Sequence, residues 1–226
     1  SRLGPYAVGV PGTVAGLLEA HKRYGRLPLA QVMAPAIEIA EHGFVLDEAY
    51  RSGVESARNA LSGVSRELQT TAKALGRFGL HEKIVLNGQA EVLNQIAIHG
   101  RDGFYAGDVA KAIVSSTNGH ITKEDLKNYE PRWEEPLFVD VGGGISIVSM
   151  PPPSSGGVAL AQILSIMQRV GGLTLERNDP MYTHLLVESM KHAFADRAEH
   201  LADAAFVDVP VEGLLESAYL DELASR

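Results

Sequence analysis

The chain has 226 residues, about one and a half times a common domain length, so one large domain or two small ones are expected. At 45% hydrophobic residues it has material for its own core, and 20 Lys+Arg against 28 Asp+Glu give a net charge of −8 without a block of like charges. That balance excludes nucleic acid and an anionic membrane as main partners. The lack of cysteine excludes a disulfide scaffold, a thiolate metal site and a cysteine nucleophile, and no apolar run reaches the ~18 residues of a membrane span.

Ser1-Arg2-Leu3-Gly4-Pro5 lacks the apolar region of a signal peptide, although a signal would already be gone from a mature chain. Ser1 reads as a fragment boundary rather than as a processed nucleophile. After Pro11 the spacing of Val14, Leu17 and Leu18 predicts a helix ending near Gly25. A second helix is predicted from Pro28 to His42, with Gly43 as its stop and a kink at Pro35. Asp47 reads as the N-cap of a third helix through residue 61, and residues 63 to 88 carry too little periodicity for assignment. Helices return over residues 89 to 99 and 106 to 116, and Thr122 with Asp125 opens a short one reaching Tyr129.

Then the character changes. Residues 137 to 141, Gly142-Gly143-Gly144, and residues 145 to 150 alternate as a β-hairpin with a glycine turn. Pro151-Pro152-Pro153 ends it, and a buried helix is predicted from Ser155 to Val170. Asp179-Pro180 opens a long helix to about Leu201, and a last helix covers residues 214 to 224. The predicted fold class is mainly α with a small antiparallel β-hairpin. Residues 1 to 132 form a helical part, and residues 133 to 226 hold the hairpin and long helices; one continuous domain is an equal alternative.

Ser154-Ser155-Gly156-Gly157 lies between a strand and a helix, where backbone N–H groups can face an anion. On spacing alone, a serine cap with a tight backbone turn is preferred over an anion site. His184, Glu188, His192, Asp196 and His200 recur every four residues, but each such step drifts ~40° around a helix, so intrahelical polar pairs are preferred over a metal column. Asp196 and Arg197 lie on or near the stripe formed by Leu186, Met190, Ala193, Phe194 and Leu201, and are read as structural ion pairs first and substrate contacts second. Tyr50, Tyr105, Tyr129 and Trp133 read as packing residues. No metal and no organic cofactor is expected.

Several segments resemble the γ-glutamyltranspeptidase family. Gly9-Val10-Pro11-Gly12-Thr13-Val14-Ala15-Gly16-Leu17 is similar to one of its most recognisable stretches, followed by Ala34-Pro35-Ala36-Ile37 and Ala40-Glu41-His42-Gly43-Phe44. Gly103-Phe104-Tyr105-Ala106-Gly107, Ile121-Thr122 with Asp125-Leu126, and Pro151 to Gly157 continue the series. His184, Glu188, Ala195-Asp196-Arg197, Leu201, Asp203 and Phe206-Val207 complete it in order. Gln89, Val92, Ala202 and Ala204 depart from the family pattern, as does the stretch from 63 to 88.

The resemblance implies an αββα N-terminal-nucleophile hydrolase whose precursor splits into a large and a small subunit. The small subunit's new N-terminal threonine attacks the γ-glutamyl amide, its own α-amine serving as base. An arginine early in the large subunit grips the substrate α-carboxylate. The chain is expected to be the later part of a large subunit, with threonine and arginine both outside it and with no activity of its own. Expected partners are the small subunit of the same precursor and a small γ-glutamyl substrate; the hairpin's apolar face also suggests self-association of the fragment. The family setting is periplasmic or extracellular, with a cytoplasmic one open. A relative acting on another acyl group, and a helical scaffold without chemistry, are the alternatives.

Overall fold

A computed structural model describes residues 7–61 and 83–226. It divides into two compact units, Ser1–Arg132 and Trp133–Arg226. Most of the stretch from 63 to 88 that resisted assignment lies outside the described residues.

The first unit is a set of short helices: α1 (Thr13–Tyr24), α2 (Leu29–His42), α3 (Glu48–Leu61), α4 (Asn87–His99), α5 (Asp102–Tyr105), α6 (Gly107–Ser116) and α7 (Lys123–Asn128). Their ends follow the predicted stop and start chemistry. Gly43 closes α2 by donating its N–H to the Ile39 carbonyl at 2.8 Å. At the start of α3, Asp47 Oδ1 accepts from the Tyr50 N–H at 2.8 Å. Thr122 and Asp125 form a full capping box on α7, each side chain accepting the other's backbone N–H. One addition was not predicted: β1 (Phe44–Val45) pairs antiparallel with β2 (Lys83–Ile84), so the hairpin is not the sole sheet element. Two-residue strands are too short to show alternation, which is why the sequence pattern missed them.

The core of this unit gathers Ala15, Tyr105, Ala110, Ile121 and Leu126. Tyr105 is its pin. Its hydroxyl accepts from the Ala15 N–H at 3.1 Å and donates to the Pro11 carbonyl, tying the entry of α1 to α5. The Arg101 guanidinium lies 4.6 Å from the Tyr105 ring centre and donates to the Lys127 and Tyr129 carbonyls. Tyr129 stacks on Tyr105, and a methyl at Gly12 would lie 2.1 Å from its hydroxyl oxygen, so Gly12 lets the chain pass over this aromatic pair.

The second unit begins with β3 (Leu137–Gly142) and β4 (Ile145–Ser149), paired antiparallel with Phe138 opposite Val148 and Val139 opposite Ile147. The register shifts between Asp140 and Gly142, and Gly142, Gly143 and Gly144 all hold φ between 63° and 86°, where a side chain would be strained. Helix α8 (Gly156–Arg169) packs on one face of the hairpin, burying Val141, Ile147 and Ala161. A 3₁₀ turn (Gly172–Thr174) leads to α9 (Pro180–His200), α10 (Val211–Leu214) and α11 (Ser217–Ser225). The last helix, predicted over residues 214 to 224, starts instead at Ser217, and the short α10 before it was not predicted. Asp179 caps α9 as predicted, accepting from the Met181 N–H at 2.8 Å. No described helix is long and apolar enough to cross a membrane.

Candidate functional site

The predicted Ser154–Gly157 turn connects β4 to α8. Ser154 donates its N–H to the Pro151 carbonyl at 3.2 Å, and the Ser155 carbonyl accepts the first α8 bond from Ala159. Gly157 is buried where a methyl would lie 2.4 Å from the Met150 carbonyl oxygen, whereas Gly156 is exposed and faces no such demand. The turn thus needs one of its two glycines for close approach. A helix leaves its first N–H groups without acceptors inside the helix, and they add partial positive charge here.

The serine cap expected at this point is not formed. Ser155 makes no side-chain bond to the start of α8; its hydroxyl instead accepts from Arg197 Nε at 2.8 Å. Arg197, exposed on α9, also lies 5.9 Å from the Phe194 ring centre. Ser154, Ser155, Gly156, Gly157 and Arg197 therefore come together at one edge of the second unit, around a helix N-terminus. Their chemistry suits an anion. It does not suit a nucleophile, because among the described residues neither hydroxyl meets a histidine or carboxylate base.

Asp196 is placed differently from its neighbour. The buried residues of α9 are Ser189, Ala193 and Asp196, while Met190 and Phe194, expected on the apolar stripe, are 38% and 50% exposed. The Asp196 carboxylate accepts from Gln162 Nε2 at 2.6 Å and from the Tyr219 hydroxyl at 2.8 and 3.0 Å. Gln162, fully buried on α8, donates a second time to the Leu214 carbonyl at 3.0 Å, and its Oε1 has no partner. Burial first, and the bond to Asp196 second, push the Tyr219 phenol up to about 12. Tyr219 thus stays a donor throughout the neutral range.

These contacts correct the expected ion pairing of Asp196 and Arg197. Among the described residues both are held by neutral groups. In a buried position an amide and a phenol satisfy the carboxylate without the added desolvation of a cation. In the sequence Gln162 does no more than interrupt an apolar stretch, Val158 to Met167, and Tyr219 carries no signal of this role.

Of the histidine-acid series, Glu188 pairs with Lys191 at 2.8 Å, and that bond holds its carboxyl below the ordinary range. No group of three His, Asp or Glu side chains among the described residues is placed to hold a metal. A cavity of about 650 Å³ opens in the first unit, lined in part by Glu91, Gln95, His99, Asp102 and Asp108. Its carboxylates disfavour an anionic guest, so it does not extend the chemistry of the turn.

Comparison with known proteins covers the whole chain. The family profile described as Gamma-glutamyltranspeptidase matches residues 1–226. The chain is 39% identical to a glutathione hydrolase proenzyme of Pseudomonas aeruginosa over 231 aligned positions, covering all of this chain and 41% of that protein. It is 38% identical to the acylase ACY 1 proenzyme of Pseudomonas sp. (strain SE83), covering 97% of this chain and 40% of that protein. Among solved structures it is similar to the γ-glutamyltranspeptidase of Pseudomonas nitroreducens complexed with L-DON, with a TM-score of 0.88, 36% identity, and coverage of 98% of this chain and 66% of that one. The chain thus spans about two fifths of the length of the curated relatives it matches.

Proposed function

The chain belongs to the γ-glutamyltranspeptidase family, and from that premise we propose that it is the later part of the large subunit of an enzyme that hydrolyses or transfers a γ-glutamyl group. The observation that carries this reading is the family match along all 226 residues, joined to relatives named as proenzymes. The nucleophile is an N-terminal threonine outside this chain, attacking the γ-carbonyl while its own α-amine takes the proton. The acyl-enzyme then passes to water or to an amino-acid amine. Among the described residues neither Ser154 nor Ser155 has an activating base, and the isolated chain turns over nothing.

Residues 133–226 join the αββα core of the intact enzyme. In support, Val139, Val141 and Ile147 of the hairpin face α8, while Phe138 and Val148, opposite each other on the other face, are 70% and 63% exposed. An apolar pair on a two-stranded sheet favours cover by further structure, and the small subunit of the same precursor is the occupant proposed. The Ser154–Gly157 turn with Arg197 serves as a contact for an anion near that core.

A second reading, an acylase acting on another amide, is favoured by the likeness to acylase ACY 1. The test is turnover of glutathione and of a chromogenic γ-glutamyl amide, against amides of other acyl groups. The 226-residue chain should be silent with all of them, and the parent protein should cleave the γ-glutamyl amides and lose that activity when its downstream threonine becomes alanine. Turnover by the isolated chain, lost on Ser1→Ala or Ser155→Ala, overturns the placement of the nucleophile. Preference of the parent for other amides establishes the second reading.

A further inference from the structure

Helix α9 is held about its own axis by two consecutive residues. Asp196 points into the interior and Arg197, about 100° further around the helix, reaches Ser155 at the start of α8. The interior contact joins three further elements: Gln162 on α8, Tyr219 on α11 and, through the Gln162 amide, the Leu214 carbonyl at the end of α10. Both hydrogens of that amide are committed. Turning it over would set its oxygen against a carboxylate and a carbonyl, so its orientation is one-way even though Oε1 is left unpartnered.

Helix α11 is docked from two sides. Arg169 holds it from the solvent side through Asp221 at 2.6 Å and Ser217 at 3.0 Å. Tyr219 holds it from the interior through Asp196, with Leu220 and Leu223 packed against Ile166 between them. We propose that Gln162, Asp196 and Tyr219 form a rotational lock on α9, through which the docking of α11 keeps the Arg197 guanidinium against Ser155 and so sets the charge presented at the Ser154–Gly157 turn.

Tyr219 is then a positioning residue for a turn it does not touch. Loss of its hydroxyl leaves Asp196 with the Gln162 donor alone and frees α9 to rotate, carrying Arg197 away from Ser155. This coupling does not depend on which acyl group the parent enzyme takes.

The test reads the solvent exchange of the Arg197 Nε–H by ¹⁵N NMR in the 226-residue chain. Ser155→Ala breaks the contact directly and sets the upper rate. Tyr219→Phe keeps the ring and removes only the hydroxyl; it should raise the Arg197 exchange rate by more than about twofold, towards the Ser155→Ala rate, as expected for an opening that two sites share. A smaller rise in Tyr219→Phe overturns the lock, and so does an Arg197 rate that Ser155→Ala leaves unchanged. If Tyr219→Phe does not fold, the unsubstituted chain decides. Under mild denaturant the Gln162 side-chain amide and the Arg197 Nε–H should open with one common constant, and separate constants overturn the proposal.

Discussion

In the first unit no helix buries more than two described residues, such as Ala15 on α1, Ala40 on α2, Ala110 on α6 and Leu126 on α7. In the second, α8 alone buries eight, among them the polar Gln162 and Ser165. The interior polar groups differ in the same way. Tyr105 of the first unit serves backbone groups at the entry of a helix, whereas Tyr219 and Gln162 of the second serve a buried carboxylate. Short helices closed by caps and one aromatic pin need little from any single side chain. A central helix enclosed on most sides makes each of its neighbours matter, and a charge placed against it must be satisfied in full.

The contrast can be broken at its strongest point by Gln162→Glu. That change sets a second carboxylate against Asp196 and should destabilise by about 3–5 kcal/mol, as for a buried charge without its partner. Hydrogen exchange should show the loss centred on α8, α9 and α11. A shift within about 0.5 kcal/mol, the range of ordinary surface changes, would mean that the buried carboxylate is not critical to the second unit.

Leu126→Ala tests the apolar side of the comparison. Leu126 is fully buried in the first core, and its truncation should cost about 2–5 kcal/mol in chemical denaturation, depending on how far the site collapses. Tyr105→Phe follows at about 1–3 kcal/mol, since the Ala15 N–H and the Pro11 carbonyl lose their common partner. Loss of protection in that variant should start at α1. If α1 is unaffected, Tyr105 is a packing residue only.

Thr122→Ala removes the capping box of α7 and should cost about 1 kcal/mol, measured in the same way. The smallest effect appears only in alkali. The Tyr219 phenol is pushed up to about 12, above its value in the unfolded chain, so its contribution is complete below pH ~10 and is lost as pH rises through the folded value. Tyr105 is also raised, by burial, against the opposing pull of the Ala15 N–H and, less, of Arg101. Absorbance of phenolate should therefore show the last tyrosine to ionise disappearing in Tyr219→Phe and not in Tyr105→Phe. The reverse result would place the stronger constraint in the first unit.

Local chemistry was legible from residue order. The Thr122–Asp125 box, the Asp47 and Asp179 caps, the Gly43 stop and the three-glycine hairpin turn all depend on groups within a few residues of one another. The family could be named for a related reason, since its motifs are contiguous blocks. Ser154 to Gly157 stood out because proline, serine and glycine crowd one strand–helix junction. The role of Ser155 did not, because its partner is Arg197, far along the chain.

Residue order alone carried a mainly helical chain with a hairpin read over residues 137 to 150, many of the helix starts and stops, and the family. Tertiary structure decided what those signals were for. It set Asp196, on or near the expected stripe, inside against Gln162 and Tyr219, and buried it more deeply than Met190 and Phe194 of the same stripe, which hydrophobic spacing did not imply. The reason is physical. Periodicity reports which residues share a face of a helix, but whether that face is buried depends on the elements that arrive against it. A polar side chain can occupy the interior whenever distant donors complete its bonds.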